Sequence, residues 1–228
     1  MRMPHLSIEI YEDLKAKIVS GVIPSGRQLI ENQLTVQYHA SRTPVRQALS
    51  RLEKEGLVYS IPHKGTFARH LTHEDVMETY EAGEALEGMA AFLYASREKP
   101  DVSQLRSLND EMKQTLAADD PARWCTLDEA FHDTVFAECG NPVLQRMYAS
   151  LRPNMRRVRV YYSVPQHDRR RSCDEHERLL AAVEAGDAVS AREAAQNHYR
   201  RTLISAAEFL GMPEGNLFRK LMAADPRD

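Results

Sequence analysis

The first 70 residues contain three stretches in which apolar residues recur at helical spacing. These stretches cover residues 7–20, about 30–38 and about 43–54. Ser7 is placed to cap the first helix and Gly21 to end it, and Ser41 is placed to cap the third. After residue 56 the pattern changes to strand-forming residues on either side of a turn at 62–65, which predicts a two-stranded hairpin. Three helices followed by a hairpin are typical of a winged helix-turn-helix.

From residue 71 onward the hydrophobic pattern is helical. We expect helices over about 72–94, 102–116, 121–138, 142–162, 168–185 and 189–210, with a further short helix in the tail. Proline and glycine residues such as Pro142 and Gly186 mark boundaries between them. The predicted fold class is therefore mainly α: an N-terminal winged helix-turn-helix followed by an all-α bundle of six or seven helices. The expected segments are a winged domain at 1–70, a linker at 71–73, a helical domain at 74–212 and a C-terminal tail at 213–228.

Charge is distributed unevenly between the two modules. Residues 1–70 hold 10 Lys and Arg against 6 Asp and Glu, a net charge of +4. Residues 71–228 hold 20 against 27, a net charge of −7. A small basic module in front of a larger acidic one indicates that the two modules have different partners.

Composition excludes several classes of protein. With 228 residues, of which 43% are apolar and 28% charged, the chain has enough apolar material for a globular core. No run approaches the roughly 20 apolar residues of a membrane span, and the N-terminus lacks the basic region and apolar block of a secretory signal. Three cysteines without CxxC spacing argue against a disulfide framework. We therefore expect a cytoplasmic protein with no membrane partner.

The start of the third predicted helix carries side chains suited to DNA. Arg42 and Arg46 lie one turn apart there, and a recognition helix enters the major groove with its N-terminal residues at the base edges. Arginine is the side chain best suited to bidentate contact with guanine. The hydroxyls of Ser41 and Thr43, with the free N–H groups of the helix start, suit phosphates.

The predicted hairpin tip completes this surface. Lys64 and Gly65 lie at the tip and allow a wing to approach the DNA backbone or the minor groove closely. For any single arginine, an ordinary solvated surface is the better explanation. It does not explain the whole string SRTPVRQALSRLEKEGLV followed by PHKGTF, so we interpret the front module as DNA-binding.

Four residues of the back module form a candidate metal site. Asp128 and His132 are spaced i, i+4 and therefore share one helical face. His176 and His198 lie midway along the fifth and sixth predicted helices of this module, and antiparallel packing can bring both beside that pair. One carboxylate and three imidazoles suit Zn²⁺, Ni²⁺, Fe²⁺, Mn²⁺ or Co²⁺. On spacing alone, however, such histidines are more often ordinary core or surface residues than ligands.

Three arginines are spaced i, i+4, i+7 on one face of the fourth predicted helix of the back module. They are Arg152, Arg156 and Arg159. A solvated stripe or a contact between two copies of the chain explains the same spacing.

Both modules resemble domains of one family of bacterial transcription regulators. From Leu29 to Phe67, the strings SRTPVRQAL, LEKEGLV and GTF resemble the DNA-binding domain of the GntR family. Residues 73–210 resemble the FCD ligand-binding domain of its FadR-like subgroup, through DEAFH at 128–132, the Asn-Pro pair that follows, and HERLLAA at 176–182. The resemblance implies that the paired arginines and the wing glycine contact DNA. It also implies that the aspartate and the three histidines bind a metal, with zinc expected in the purified protein.

Two positions depart from the family pattern. Asn32 stands where some members have a basic residue that contacts DNA, and Gly83 stands where many have an arginine that helps to hold an acidic effector. The three arginines of the fourth helix are the candidates to replace it.

The leading hypothesis is a homodimeric regulator, with repression as the expected mode, that binds a palindromic operator and responds to a small carboxylic acid at or near the metal. It would lie in the bacterial cytoplasm, on the nucleoid when bound to its operator. One alternative is a metallohydrolase, although no general base is identifiable beside the four ligands. Another is a DNA-binding regulator whose metal is purely structural. We expect that the protein is not an enzyme.

Overall fold

The computed structural model describes residues 3–162 and 165–209, which form two compact units. Over these residues, the first unit consists of 3–72 together with Arg156–Tyr161, and the second consists of His73–Met155, Tyr162 and 165–209. The predicted C-terminal tail at 213–228 lies outside the described residues.

The first unit contains three helices and three short strands. They are α1 (Met3–Val19), β1 (Gln28–Leu29), α2 (Glu31–Gln37), α3 (Arg42–Lys54), β2 (Val58–Ile61) and β3 (Gly65–Ala68). The strands form one antiparallel sheet in the order β1-β3-β2, with Thr66 of β3 opposite both Leu29 and Ser60. The hairpin of β2 and β3 was predicted, but β1 was not. A strand of two residues shows no alternation, so only its pairing with β3 reveals it.

The core of the first unit is built from α1 and α3. Ile10 and Leu14 of α1 pack in one cluster with Val45, Leu49 and Leu52 of α3, and all five side chains are buried. The apolar face predicted for α3 is thus the buried one. Because this face fixes the rotation of α3, the opposite face, which carries both candidate DNA-reading arginines, is exposed.

The cap predicted at Ser7 is wrong, and the cap predicted at Ser41 is correct in position only. The first helix begins at Met3 rather than after Ser7, and Pro4 falls in its first turn, where a missing N–H is tolerated. Ser41 does occupy the N-cap position of α3 with extended backbone angles, but its side chain makes no capping hydrogen bond. Its hydroxyl is exposed at the helix start.

The second unit is all-α over the residues described. Its helices are α4 (His73–Ala95), α5 (Ser103–Ala118), α6 (Pro121–Glu138), α7 (Pro142–Tyr162, apart from the segment Arg156–Tyr161 that belongs to the first unit), α8 (Gln166–Glu184) and α9 (Ala188–Phe209). Their bounds lie within about two residues of the predicted ones; α4 begins at His73, one residue before the expected domain boundary. None of the described helices is long and apolar enough to cross a membrane.

Four helices of this unit surround the candidate metal site. α4 packs along α9 and also contacts α6 and α8, and α8 packs against α9. The approach of α4 to its neighbours requires a glycine. A Cβ atom on Gly83 would lie 2.3 Å from Cε of Met155 and 2.5 Å from Cε1 of Tyr199. The absence of a side chain at Gly83 therefore makes room for packing of the bundle.

Candidate metal centre and nucleic-acid interface

Four buried side chains from three helices converge in the second unit. Asp128 and His132 project from α6, His176 from α8 and His198 from α9. Each offers a ligand atom, and these atoms all lie within 4.8 Å of one another. The residues are between 1% and 7% exposed. All four residues predicted from the sequence are thus brought together.

The spacing of this cluster fits a cation better than direct hydrogen bonding. Oδ1 of Asp128 lies 3.7 Å from Nε2 of His132 and 3.7 Å from Nε2 of His176. These separations are too long for hydrogen bonds. Nε2 of His132 is buried and has no hydrogen-bond partner among the described residues. A cation bonded to carboxylate oxygen and imidazole nitrogen at about 2.0–2.2 Å would satisfy these atoms.

The other nitrogen of His132 faces a carboxylate that the sequence analysis did not identify. Oε1 of Glu87 lies 2.6 Å from Nδ1 of His132, and its Oε2 accepts a hydrogen bond from the hydroxyl of Tyr199 at 2.7 Å. Glu87 is fully buried on α4. A signal for it was present in the sequence, since Tyr80, Glu87 and Tyr94 recur at seven-residue intervals along one buried stripe of the helix.

His198 has an equivalent partner, which the sequence analysis also missed. Nδ1 of His198 lies 2.9 Å from Oε2 of Glu175, the residue before His176. Arg201 donates from Nε to both oxygens of Glu175, at 2.8 and 2.9 Å, and from Nη2 to Ser172 at 2.7 Å. All of these side chains are buried between α8 and α9.

The carboxylates and burial act in opposite directions on the histidine pKa values. Burial lowers the pKa of His132, but Glu87 and Asp128 outweigh burial and raise it to about 9. Burial dominates for His198, whose pKa lies below its ordinary value although Glu175 opposes the shift. In the absence of a cation, the His132 imidazole is therefore charged at neutral pH.

The three arginines proposed for effector binding differ in their exposure. Arg152 is exposed in the second unit and forms an ion pair with Asp133 of α6. Arg156 and Arg159 lie in the segment of α7 that belongs to the first unit, where Arg156 is exposed and Arg159 is buried. The burial of Arg159 rules out a uniformly solvated stripe.

The six residues predicted to contact DNA are all exposed in the first unit. They are Ser41, Arg42, Thr43, Arg46, Lys64 and Gly65. The two arginines project from the first turns of α3 and contact the start of α2. Nη2 of Arg42 donates to Oδ1 of Asn32 at 3.3 Å, and Nε of Arg46 donates to Glu31 at 2.9 Å. Asn32, which departs from the family pattern, thus lies beside one of the two arginines predicted to contact DNA.

The wing tip is held by β1. The carbonyl oxygen of Lys64 accepts a hydrogen bond from Nε2 of Gln28 at 2.6 Å. Gly65 has a φ of +103°, which a side chain tolerates poorly, and a Cβ atom there would lie 3.0 Å from the same Gln28 nitrogen. The Lys64 side chain is exposed beside this anchored turn.

Both units match known sequence families. Residues 6–68 match the family described as "Bacterial regulatory proteins, gntR family", and residues 78–201, more than half of the chain, match the FCD domain. The chain belongs to the GntR family and carries an FCD domain. It is therefore a DNA-binding transcriptional regulator, and the family relationship overturns the metallohydrolase alternative. The resemblance read from the motifs and the mainly α fold class are confirmed.

Curated relatives of this regulator include named repressors. An uncharacterized HTH-type transcriptional regulator from Agrobacterium vitis is 37% identical over 56% of this chain and 77% of its own. The gluconate operon transcriptional repressor of Bacillus subtilis (strain 168) is 28% identical over 79% of this chain and 76% of its own. A probable D-xylose utilization operon transcriptional repressor from Paenarthrobacter nicotinovorans is 27% identical over 89% of both chains.

Solved structures share the fold of this GntR regulator. E. coli McbR/YncC superposes with a TM-score of 0.74 at 23% identity, over 89% of this chain and 97% of the other. A GntR transcriptional regulator from Rhodococcus sp. RHA1 gives a TM-score of 0.71 at 22% identity, over 90% of this chain and 97% of the other.

Proposed function

We propose that this regulator is a homodimeric repressor whose operator affinity is controlled by a small carboxylic acid bound at or near a divalent transition metal. Asp128, His132, His176 and His198 would hold the cation. The observation that carries the proposal is the convergence of these four buried groups, with Nε2 of His132 left without a hydrogen-bond partner among the described residues. When bound, such a cation supplies a Lewis-acidic centre that can coordinate a carboxylate.

The names of relatives support repression and an acidic effector. Two relatives that align with most of this chain are named operon repressors, and one of them is named for gluconate, a small carboxylic acid. We extend both features to this chain as part of the proposal. Zinc is the ion expected in the purified protein, because imidazole nitrogen and carboxylate oxygen are ligands that it commonly takes.

The surface of the first unit supports a two-fold symmetric mode of DNA binding. Arg42 and Arg46 would reach base edges, the hydroxyls of Ser41 and Thr43 would bind phosphates, and the wing would touch the backbone. One basic module of this size offers few contacts, so specific binding calls for two copies on a palindromic operator. The protein would act in the bacterial cytoplasm, on the nucleoid when bound to its operator.

Burial of the cluster favours a second candidate, in which the metal is structural and binds no effector. All four ligand residues are at most 7% exposed, and the space next to Gly83 is filled by Met155 and Tyr199. An effector that coordinates the cation would therefore have to displace side chains. An effector held elsewhere, for example by the arginines of α7, would leave the metal with a structural role.

The test begins with elemental analysis of the purified protein, followed by thermal unfolding in a set of small carboxylic acids. One divalent metal per chain is expected, and an effector at 100 times its dissociation constant should add roughly 2.7 kcal/mol of stability. The affinity of that acid is then compared in metal-loaded and metal-free protein, each checked to be folded. Tighter binding to the loaded form supports coordination, whereas equal affinities would leave the metal a structural role only.

A further inference from the structure

A buried glutamate contacts each of two histidines in the cluster, on the side away from the other ligands. Glu87 meets Nδ1 of His132 at 2.6 Å, and Glu175 meets Nδ1 of His198 at 2.9 Å. Because a carboxylate only accepts hydrogen bonds, Nδ1 of each ring carries the proton and donates it. When the ring is neutral, the lone pair is then on Nε2. This is the atom of His132 that lies 3.7 Å from Asp128.

We propose that Glu87 and Glu175 are positioning residues of the cation site, and that Glu87 also supplies charge that holds the cation. Each would fix the orientation and the tautomer of one histidine ligand, as outer carboxylates do in other metal sites. The inference rests on the proposed binding of a cation by Asp128 and the three histidines.

The two glutamates differ in how their charges are compensated. Glu175 accepts two hydrogen bonds from the guanidinium of Arg201, at 2.8 and 2.9 Å, so its charge already has a counterion. Glu87 is fully buried, and its second oxygen is bonded to the neutral hydroxyl of Tyr199. Over residues 3–162 and 165–209, no Lys or Arg forms an ion pair with Glu87.

This difference predicts unequal contributions to cation affinity. Among the described residues no Lys or Arg offsets the charge of the buried Glu87 carboxylate, and a divalent cation bonded to the far side of His132 would add positive charge that does so. For Glu175, the guanidinium of Arg201 already offsets the negative charge. Removing the charge of Glu87 should therefore weaken cation binding more than removing the charge of Glu175.

Glutamine at position 87 removes the charge of the side chain and keeps its position. In Glu87→Gln the amide oxygen can still accept from Nδ1 of His132, and the amide NH₂ faces the hydroxyl oxygen of Tyr199. The variant keeps the shape of the side chain, loses its charge and reverses the direction of the hydrogen bond with Tyr199. Glu84→Gln is a matched control on the same helix, because Glu84 pairs with Arg200 instead. Glu177→Gln is the control on α8, where Glu177 pairs with Lys113.

The experiment measures Zn²⁺ affinity of the full chain by competition with a chromophoric chelator, using Zn²⁺ alone as the ligand. Glu87→Gln should lower the affinity about 10- to 100-fold, the range seen when outer-shell partners are removed. Glu175→Gln should lower it less, and both controls should stay within about twofold of the unaltered protein. Thermal unfolding of each protein after chelation shows whether the metal-free fold is intact.

A second measurement covers the case in which Glu87→Gln does not fold. Tyr199→Phe keeps the ring that packs against Gly83 and removes one of the two hydrogen bonds to Glu87, so a smaller loss of Zn²⁺ affinity is expected. Co²⁺ absorption should shift in either variant and stay unchanged in Glu84→Gln, since the ligand field of His132 depends on its partner.

The outcomes separate the two proposals. If the unaltered protein does not bind Zn²⁺ or another divalent transition metal, both the proposed cation site and the positioning roles fail. If it binds Zn²⁺ and the folded Glu87 and Tyr199 variants show unaltered affinity and Co²⁺ spectra, the cation site stands and the positioning inference is overturned. A greater loss in Glu175→Gln than in Glu87→Gln would overturn the assignment of the larger charge contribution to Glu87.

Discussion

The guanidinium of Arg46 is held by the carboxylate of Glu31, with Nε 2.9 Å from Oε2 and 3.1 Å from Oε1. This ion pair joins the first turn of α2 to the first turns of α3. The Arg46 side chain remains 62% exposed, so the pair contributes at most about 1 kcal/mol. A contact of this strength can orient the arginine in the free protein and still be exchanged for a contact with DNA.

The Glu31 pair leads to a prediction about selectivity. Glu31→Gln removes a negative charge near the DNA and releases Arg46, so affinity for random DNA should rise by up to about fivefold, an upper limit set by an exposed ion pair. The ratio of operator to random binding should fall. Fluorescence anisotropy with both duplexes at several salt concentrations measures both effects. Glu12→Gln, an equal charge change at an exposed position of α1, should leave the ratio unaltered.

The recognition arginines should differ from the wing lysine in what they contribute. Replacing Arg42 or Arg46 with Ala should reduce the binding free energy for the operator by about 1–3 kcal/mol. It should also relax the base preference at one position of each half-site. Lys64→Ala should weaken binding to all DNA sequences alike. It should also reduce the salt dependence of that binding, as expected for a phosphate contact. Selection from random duplexes defines the operator for both measurements. If Arg42→Ala lowered the affinity for operator and random DNA equally, Arg42 would contact phosphate and not a base.

Metal removal should lower thermal stability, because the proposed cation joins α6, α8 and α9. Zn²⁺ at 100 times its dissociation constant should stabilise the protein by roughly 2.7 kcal/mol, and a chelator should abolish this gain. His198→Ala should lose most of the bound metal and the stabilisation by Zn²⁺. His167→Ala is the control, since His167 is 82% exposed on α8. Full metal content in His198→Ala would show that the ligand set is wrong.

Gly83 should be intolerant of even a methyl group. The Cβ atom of Gly83→Ala would lie 2.5 Å from Cε1 of Tyr199, and the ring cannot withdraw without losing its hydrogen bond to Glu87. We expect destabilisation of about 1–3 kcal/mol in chemical unfolding of the metal-free protein. At Gly88 the added Cβ would meet Cγ of Gln196, a flexible side chain that can move away. Gly88→Ala should therefore lower the free energy of unfolding less than Gly83→Ala does. Equal losses for the two variants would contradict the packing argument.

Periodicity in the sequence determined most of the fold. Apolar residues at helical spacing predicted six helices of the second unit close to their observed bounds, because a long amphipathic helix is specified by its own residues. β1 and the start of α1 were not predicted. A two-residue strand exists only through its pairing with β3, and Ser7 lies inside a helix although its side chain is typical of a cap.

The candidate ligands were visible in the sequence for a similar local reason, since Asp128 and His132 share a helical face and the family motifs include them. Only the tertiary structure decided what completes the site. Glu87 is 45 residues from His132 along the chain, so no local pattern relates the two. Gly83 is a second example. In the sequence it was notable only because many family members have an arginine there, whereas in the structure Tyr199 packs against α4 at this glycine. Helical periodicity is a property of neighbouring residues, whereas the compensation of a buried charge depends on which helices the fold brings together.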